Sequence, residues 1–229
     1  LEVAPPELLR FFYNKRLAQT RSFSWKELPA LYAEYENHKK VYFGEMKLEN
    51  KKEESHMKRL FKISQLKKPV QHKMLPFTFA AIVVQTYDPK KNLKKALEIF
   101  KATGHLENVS KEDEKYLEKI LIFAKNWLNY VPEEKINVVD KISLKIKKET
   151  SKEEKNALRE LGKILERKVD GEELQAKIYE IAKSYKVEPR NFFSLLYRII
   201  LNKPQGPRLG PFILAIGKEK VTKLLHQVI

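Results

Sequence analysis

Helical periodicity runs through almost the whole chain of 229 residues, and it constrains the fold more than any other feature of the sequence. Apolar residues recur at intervals of three and four along nearly every long segment, as on one face of an α-helix. No clear internal repeat at a fixed period accompanies this pattern, which makes a helical solenoid less favoured than a compact bundle. The sequence therefore predicts a mainly all-α fold.

Local signals divide the chain into separate helices. Pro5 and Pro6 suit the first turn of an opening helix that ends near Lys15 and Arg16, and Gly44 suits the end of the second helix. The predicted helices that follow the opening one are 25–43, 77–86, 90–103, 111–130, 132–147, 152–168, 172–185, 190–201, 212–216 and 218–227. Expected boundary residues are Pro29 as a start or a kink, Ser110 with Asp113 and Ser151 with Glu154 as capping boxes, Asp170 just before Glu172 and Glu173, and Gly104 as a stop.

One part of the sequence does not follow the helical pattern. Residues 44–58 are polar and rich in Lys and Glu, which is typical of an exposed loop or a loose helix. Residues 59–66 alternate apolar with polar side chains, an ambiguous pattern that is compatible with a short strand. The expected fold class is therefore all-α with room for one short strand pair near the N-terminal part.

The chain is strongly basic, with a formal net charge of +16 and an isoelectric point near 9.7. Residues 1–75 carry 16 Lys and Arg against 9 Asp and Glu, residues 76–186 carry 23 against 19, and residues 187–229 carry 7 against 2. The two ends are thus the more electropositive parts. A surplus of this size attracts polyanions, and nucleic acid is the expected partner.

Several kinds of chemistry are absent from the sequence. There is no cysteine, no Gly-rich phosphate loop, and no pair of histidines spaced to bind a metal from one helix face. We therefore expect no catalytic, cofactor-binding or metal-binding residue in this chain. No apolar run is long enough to span a bilayer and no secretory signal is visible, so we expect a cytoplasmic protein without a membrane partner. Abundant Lys and Glu without cysteine also fit a heat-tolerant source, and Leu1 in place of methionine suggests a piece of a longer chain.

The segment QGPRLGPFI, residues 205–213, places one arginine between two Gly-Pro pairs. Proline restricts the backbone and glycine frees it, so this segment is expected to be a shaped connector. Residues 190–203, just before this segment, are rich in aromatic, basic and amide side chains. These are the groups that stack on the bases of single-stranded RNA and hydrogen-bond to their edges. The spacing of Phe192 and Leu196 favours a core role for the apolar members. The candidate RNA-binding residues are the polar ones: Arg190, Asn191, Arg198, Lys203, Gln205 and Arg208.

Two segments of the chain resemble one known family. Residues 1–13, LEVAPPELLRFFY, look like the segment after the KMSKS-type loop of archaeal class I lysyl-tRNA synthetases. GPRLGPF at 206–212, followed by GKEKV at 217–221, resembles the extreme C-terminus of the same family. The two motifs come in the family's order and separation and bracket nearly the whole chain.

The resemblance implies a stem-contact region over residues 1–75 and an α-helix-cage, anticodon-binding domain over residues 76–229. It implies tRNA(Lys) and the N-terminal catalytic domain of the same polypeptide as partners. The parent enzyme would ligate lysine to tRNA with ATP and magnesium, but the HIGH-type and KMSKS-type motifs have no counterpart here, so this piece is expected to be inactive alone. The alternatives are a free-standing basic helical RNA-binding module and a protein–protein scaffold.

Overall fold

The computed structural model describes residues 2–15, 20 and 22–229, and every regular element in these residues is helical. The described part of the chain holds no strand, so the all-α fold class is confirmed and the short strand pair is wrong. The described residues group into two compact units. The first takes in the described residues up to Val84 with 89–91 and 108–135, and the second takes in 85–88, 92–107 and 136–229.

The first unit is built on α1, α2, α3 and α6, with most of α4. The bounds are α1 Pro6–Asn14, α2 Leu28–Phe43, α3 Lys51–Ser64, α4 Phe77–Thr86 and α6 Lys111–Trp127, with single 3-10 turns at Trp25–Glu27 and Pro132–Glu134. Helices α1, α2 and α3 pack against one another. Their shared core is aromatic: Phe11 of α1, Tyr35 of α2 and Phe61 of α3 are all buried, and Phe11 meets Tyr35 edge to face.

Helix α3 takes the place of the strand predicted for residues 59–66, and it forms the helical alternative expected for part of residues 44–58, whose first residues, 44–50, are not helical. Asn50 begins the helix, because its side chain accepts hydrogen bonds from the backbone N–H groups of Lys52 and Glu53. Leu60 and Phe61 supply the buried face near its end. Ile63 and Leu66, the other apolar members of the alternation, are exposed, so the buried face follows the helical period and not the alternation.

The second unit contains the rest of α5 and all of α7–α12. The bounds are α5 Pro89–Ala102, α7 Leu144–Glu149, α8 Lys152–Glu166, α9 Gly171–Ser184, α10 Pro189–Leu201, α11 Leu209–Ile216 and α12 Lys218–Val228. Helix α9 packs against α8, α10 and α11, and α12 packs against α7, α8, α10 and α11. Helix α5 is interrupted at Asn92, whose φ of −132° is not helical.

The predicted helix 132–147 is wrong. Only a 3-10 turn at Pro132–Glu134 and the short helix α7 form there, and an irregular segment joins them. In that segment the backbone N–H of Val139 donates to the carbonyl of Ile200, 3.0 Å away, and that of Ile142 donates to the side chain of Gln227. Contacts with α10 and α12 thus satisfy backbone groups that a helix would have satisfied internally.

The predicted boundary residues agree closely with the structure. Ser110 with Asp113 and Ser151 with Glu154 both form reciprocal capping boxes, and Asp170 caps α9. Gly44 ends α2 in a left-handed conformation with a φ of 78°. Pro29 lies in the first turn of α2 and does not kink it, while α11 begins at Leu209, three residues before the predicted start. Arg16, predicted near the end of α1, lies outside the described residues.

Candidate nucleic-acid interface

Helix α10 carries three of the six candidate residues and buries its apolar face completely. Pro189 occupies its first turn, and the Glu188 carboxylate accepts a hydrogen bond from the backbone N–H of Asn191, 2.8 Å away. Phe192 and Leu196 are fully buried, so these residues are core, as their spacing indicates. The polar side chains are left on the solvent side, where a ligand can reach them.

Asn191 and Arg198 lie seven residues apart, which places them two turns apart on one face of α10. They line the same pocket of about 250 Å³, whose other walls come from the end of α7, the start of α8 and the middle of α10. Its remaining lining residues are Glu149, Thr150, Glu154, Ser194 and Leu195. We call these seven residues the α10 pocket.

Arg198 is held in place by a carboxylate distant in sequence. Its Nη2 donates to Oε2 of Glu149 at 2.6 Å, and this hydrogen bond lowers the pKa of the Glu149 carboxyl below its ordinary value. Thr150, next in the chain, donates its hydroxyl to the carbonyl of Ile146 and is buried. The α10 pocket thus presents an oriented guanidinium, the exposed Asn191 amide and two carboxylates around one space of about 250 Å³.

Arg190, Lys203 and Gln205 are exposed and lie outside the α10 pocket. Arg190 makes no ion pair with any described residue and is turned about 100° from Asn191 around the helix axis. Lys203 and Gln205 follow the opposite end of α10, about 16 Å along the axis from Arg190. The structure therefore does not bring the six candidates together at one point; it spreads them along one helix and the connector after it.

The connector of residues 202–208 is shaped by close contacts. Asn202 ends α10 with a φ of 54°, and the Tyr197 hydroxyl donates to the carbonyl of Pro207 at 2.5 Å. A Cβ added at Gly206 would lie 2.9–3.0 Å from side-chain atoms of Leu201 and Tyr197. The connector therefore has a defined shape, in which Gly206 lies close against Leu201 and Tyr197 and Asn202 is the residue with the left-handed backbone.

Arg208 ends this connector and precedes α11. Its guanidinium pairs with the carboxylate of Glu172 in the first turn of α9, and 58% of its side chain is still exposed. Two residues later, the backbone N–H of Gly210 donates to Oε1 of Gln175 at 2.8 Å. Arg208 is thus a solvent-facing cation with a carboxylate partner in α9. The backbone two residues later, at Gly210, is also hydrogen-bonded to α9.

Four polar residues of the α10 pocket were missed by the sequence reasoning: Glu149, Thr150, Glu154 and Ser194. The capping box at Ser151 and Glu154 was recognised, but nothing in the sequence shows that the start of α8 lies beside α10. Within the part of the chain that the structure describes, no three His, Asp or Glu side chains are grouped to hold a metal ion, and no helix is long and apolar enough to cross a membrane.

No protein-family model matches the chain. Curated relatives match over nearly its full length, and they are ligases that act on tRNA. More particularly, the chain is homologous to a portion of the class I lysine–tRNA ligases, most of them archaeal.

Three relatives illustrate the extent of this match. The lysine–tRNA ligase of Pyrococcus furiosus is 32% identical over 98% of this chain and 43% of its own length. That of Methanocaldococcus jannaschii is 27% identical over 96% of this chain and 43% of its own. The enzyme of Borreliella burgdorferi is 27% identical over 100% of this chain and 44% of its own. The chain therefore spans less than half the length of these relatives.

Proposed function

We propose that this chain is the tRNA-binding, anticodon-recognising portion of a lysine–tRNA ligase, active only together with a catalytic portion of the same polypeptide. In this proposal residues 1–75 contact the tRNA stem and residues 76–229 form the anticodon-binding cage. The whole enzyme would ligate lysine to tRNA(Lys) in the cytoplasm, and ATP and magnesium would bind in the catalytic portion. The homology to part of such ligases is the general support, and the α10 pocket is the observation that carries the finer assignment.

The chemistry of the α10 pocket suits a pyrimidine such as uracil. The Watson–Crick edge of uracil offers one N–H donor between two carbonyl acceptors. The Asn191 amide can donate and accept side by side, Arg198 donates, and Glu149 or Glu154 can accept. Since single-stranded bases are read on these edges once they are splayed out of the stack, one anticodon base fits this set of groups.

The exposed cations outside the pocket would serve a different purpose. Arg190, Lys203 and Arg208 can neutralise phosphates along the backbone, and Gln205 can donate to a phosphate or a sugar. Such contacts raise affinity without reading sequence, and they weaken as salt increases. The proposal therefore separates base recognition at Asn191 and Arg198 from backbone contacts at the other four candidates.

The test is filter binding of tRNA(Lys) transcripts with single anticodon substitutions to the wild-type chain, Arg198→Ala and Asn191→Ala. We expect each variant to lose about 10- to 100-fold in affinity for the cognate anticodon, the value of one bidentate contact, and to discriminate less among anticodons. Arg159→Ala is the matched control, because Arg159 is an exposed arginine of α8 that bonds only Asn156 among the described residues. It removes the same charge and should leave discrimination intact.

Two other outcomes would favour the other readings. Equal affinity of the wild-type chain for all anticodon variants would indicate a helical module that binds RNA without reading it. No RNA binding even at low salt would indicate a protein–protein scaffold.

For Arg208, we expect Arg208→Ala to weaken binding of the cognate tRNA at moderate salt more than Arg159→Ala does. Equal effects of the two substitutions would make Arg208 a structural residue.

A further inference from the structure

The first unit contains a second pocket, of about 460 Å³, whose chemistry is unlike that of the α10 pocket. Its walls come from the start of α1, the middle of α2, the segment 65–72 and the middle of α6. The lining residues that matter here are Lys39, Lys67, Lys68, Tyr116, Lys119 and Phe123. We call this the Lys39 pocket.

Lys39 is a buried cation without a salt bridge to any described residue, although Glu36, Glu45 and Asp113 favour its charged form from farther away. Only 4% of the residue is exposed, and burial lowers its pKa to about 8, so it is still charged at neutral pH. Its Nζ donates to the carbonyl of His72 at 3.0 Å and lies 5.1 Å from the centre of the Tyr116 ring. Among the described residues no carboxylate lies within 4 Å of this ammonium. An ammonium has three donors, and a buried charge is costly unless it is paired, so Lys39 remains suited to an anion.

The rim of the pocket adds to this positive charge. Lys67, Lys68 and Lys119 are exposed, and none of them makes an ion pair with another described residue. Glu7 is the only carboxylate among the described residues that line the pocket. Four lysines against one glutamate in one concave space favour an anionic ligand over a neutral one.

One aromatic wall remains available to that ligand. The Tyr116 ring is already stacked on His72, with centroids 4.6 Å apart, and His72 in turn faces Asp113, Nδ1 to Oδ1, at 3.6 Å. Phe123, by contrast, is half-buried and pairs with no other aromatic ring of the described residues. A partly exposed ring in the wall of a pocket is a stacking surface for a planar group.

The pocket is held in shape before any ligand binds. The Tyr35 hydroxyl lies 3.0 Å from the Gln65 amide nitrogen, which donates to it, and the backbone N–H of Lys73 donates to Asp113 at 3.0 Å. These bonds fasten both ends of the segment that carries Lys67 and Lys68. A preformed site of this kind orders few groups on binding, which favours a small ligand.

We propose that the Lys39 pocket binds a nucleotide, with the base against Phe123 and the phosphate among Lys39, Lys67, Lys68 and Lys119. A volume of about 460 Å³ lies in the range of small-molecule sites. The nucleotide could come from free solution or from bound RNA, since both present a base joined to a phosphate. This proposal does not depend on the anticodon assignment, because the α10 pocket belongs to the other unit.

Isothermal titration of the whole chain with AMP, GMP, CMP and UMP tests the site, with adenosine and inorganic phosphate as partial ligands. We expect at least one monophosphate to bind about tenfold or more tightly than either partial ligand. Phe123→Ala and the double variant Lys67→Ala/Lys68→Ala should each weaken that binding about tenfold. The control Lys94→Ala/Lys95→Ala removes the same charge from two exposed lysines of α5 and should change nothing. Absence of any monophosphate binding at millimolar concentration, or an equal loss in the control, overturns the proposal.

Lys39→Met separates a binding role from a structural one. Because it replaces a buried charge by an apolar side chain of similar length, we expect it to bind nucleotide at least tenfold more weakly while raising the resistance of the first unit to urea. Loss of stability together with loss of binding would show that Lys39 is structural and count against the site. Competition then identifies the source: displacement of the bound monophosphate by a short single-stranded RNA indicates an RNA nucleotide, and simultaneous binding indicates a free one.

Discussion

The two units differ most in what they bury. In the first unit the core is rich in aromatic rings, and the buried polar residues are His38, Lys39, Ser64 and Asp113, three of which can ionise. In the second unit the buried polar residues are only Thr103 and Thr150 among those that the structure describes. Both threonines donate to the carbonyl four residues earlier in their own helix. The first unit therefore carries charge inside, and the second carries its charge on its surface.

This difference predicts different weaknesses. A core in which helix backbones approach one another closely is sensitive to added volume, because tightly packed interiors cannot expand without losing contacts. A core that contains ionisable groups is sensitive to pH and to the loss of a single hydrogen-bond partner. The chain offers a convenient probe, since both of its tryptophans, Trp25 and Trp127, lie in the first unit. Tryptophan fluorescence thus reports the first unit, and hydrogen exchange of individual segments reports the second.

The largest effect is expected for Gly210→Ala in the second unit. A Cβ at this position would lie 2.2 Å from the carbonyl oxygen of Gly171 and 2.8 Å from the backbone nitrogen of Gln175. Backbone atoms of α9 cannot move aside as a flexible side chain can, so α9 and α11 must separate. We expect a loss of about 3 kcal/mol or more, seen as faster hydrogen exchange in both helices.

Gly162→Ala is the matched control for that substitution. Gly162 lies inside α8, and a Cβ added there would meet no other heavy atom within 4 Å. Alanine is favoured over glycine in a helix by about 1 kcal/mol, so this variant should slow hydrogen exchange slightly. If Gly210→Ala were tolerated as well as Gly162→Ala, close backbone approach would not limit the second unit.

The close approach at Gly210 also shows where sequence reasoning stops. The segment 205–213 was correctly predicted to be a shaped connector, but its glycines were expected to supply backbone freedom. In the structure, Gly206 and Gly210 instead allow other residues to approach the backbone closely. Those residues are not adjacent to the two glycines in sequence. Helix caps, by contrast, are predictable, because each capping serine, Ser110 or Ser151, finds its partner only three residues further along the chain.

The same limit applies to α3 and to the candidate site. The alternating residues 59–66 are ambiguous by themselves, and only the packing of α3 against α1 and α2 decides that Leu60 and Phe61 are buried while Ile63 is exposed. Arg198 could be proposed from its composition and position, but its partner Glu149 is 49 residues away. Local patterns therefore predicted the elements and the polar candidates, while the pockets that group them depend on tertiary packing.

The second prediction compares one capping motif in both units. Asp113 in the first unit is buried and accepts hydrogen bonds from the backbone N–H groups of Ser110 and Lys73, whereas Glu154 in the second caps only its own helix. Burial tends to raise the pKa of Asp113, but these hydrogen bonds outweigh it and lower the pKa to about 2. We expect Asp113→Asn to destabilise the first unit by about 2 kcal/mol, because a neutral amide is a weaker acceptor than a carboxylate for these two backbone N–H groups.

Glu154→Gln supplies the comparison, since glutamine also serves in a capping box and the side chain is partly exposed. Its cost in the second unit should stay within about 0.5 kcal/mol. Urea unfolding followed by fluorescence for Asp113→Asn, and by hydrogen exchange for Glu154→Gln, measures the two values. Equal costs would mean that the buried charge of the first unit adds nothing to an ordinary cap.

The smallest effect concerns pH and again separates the units. Burial raises the pKa of Glu36 in α2 from 4.5 to about 7, against the opposing influence of Lys40 and Lys39. A group whose pKa is raised by folding stabilises the fold below its unfolded pKa, and this contribution disappears as pH rises through its folded pKa. The first unit should therefore lose stability between about pH 5 and 7.5 relative to Glu36→Gln, which cannot ionise. Partial exposure to solvent reduces the expected change to about 1–2 kcal/mol.

Urea midpoints from tryptophan fluorescence at the two pH values measure this change in stability. The control is Glu27→Gln, which alters an exposed glutamate of the same unit. A constant difference between wild type and Glu36→Gln across this range would show that Glu36 is well hydrated, and the contrast between the two interiors would then depend on His38, Lys39 and Asp113.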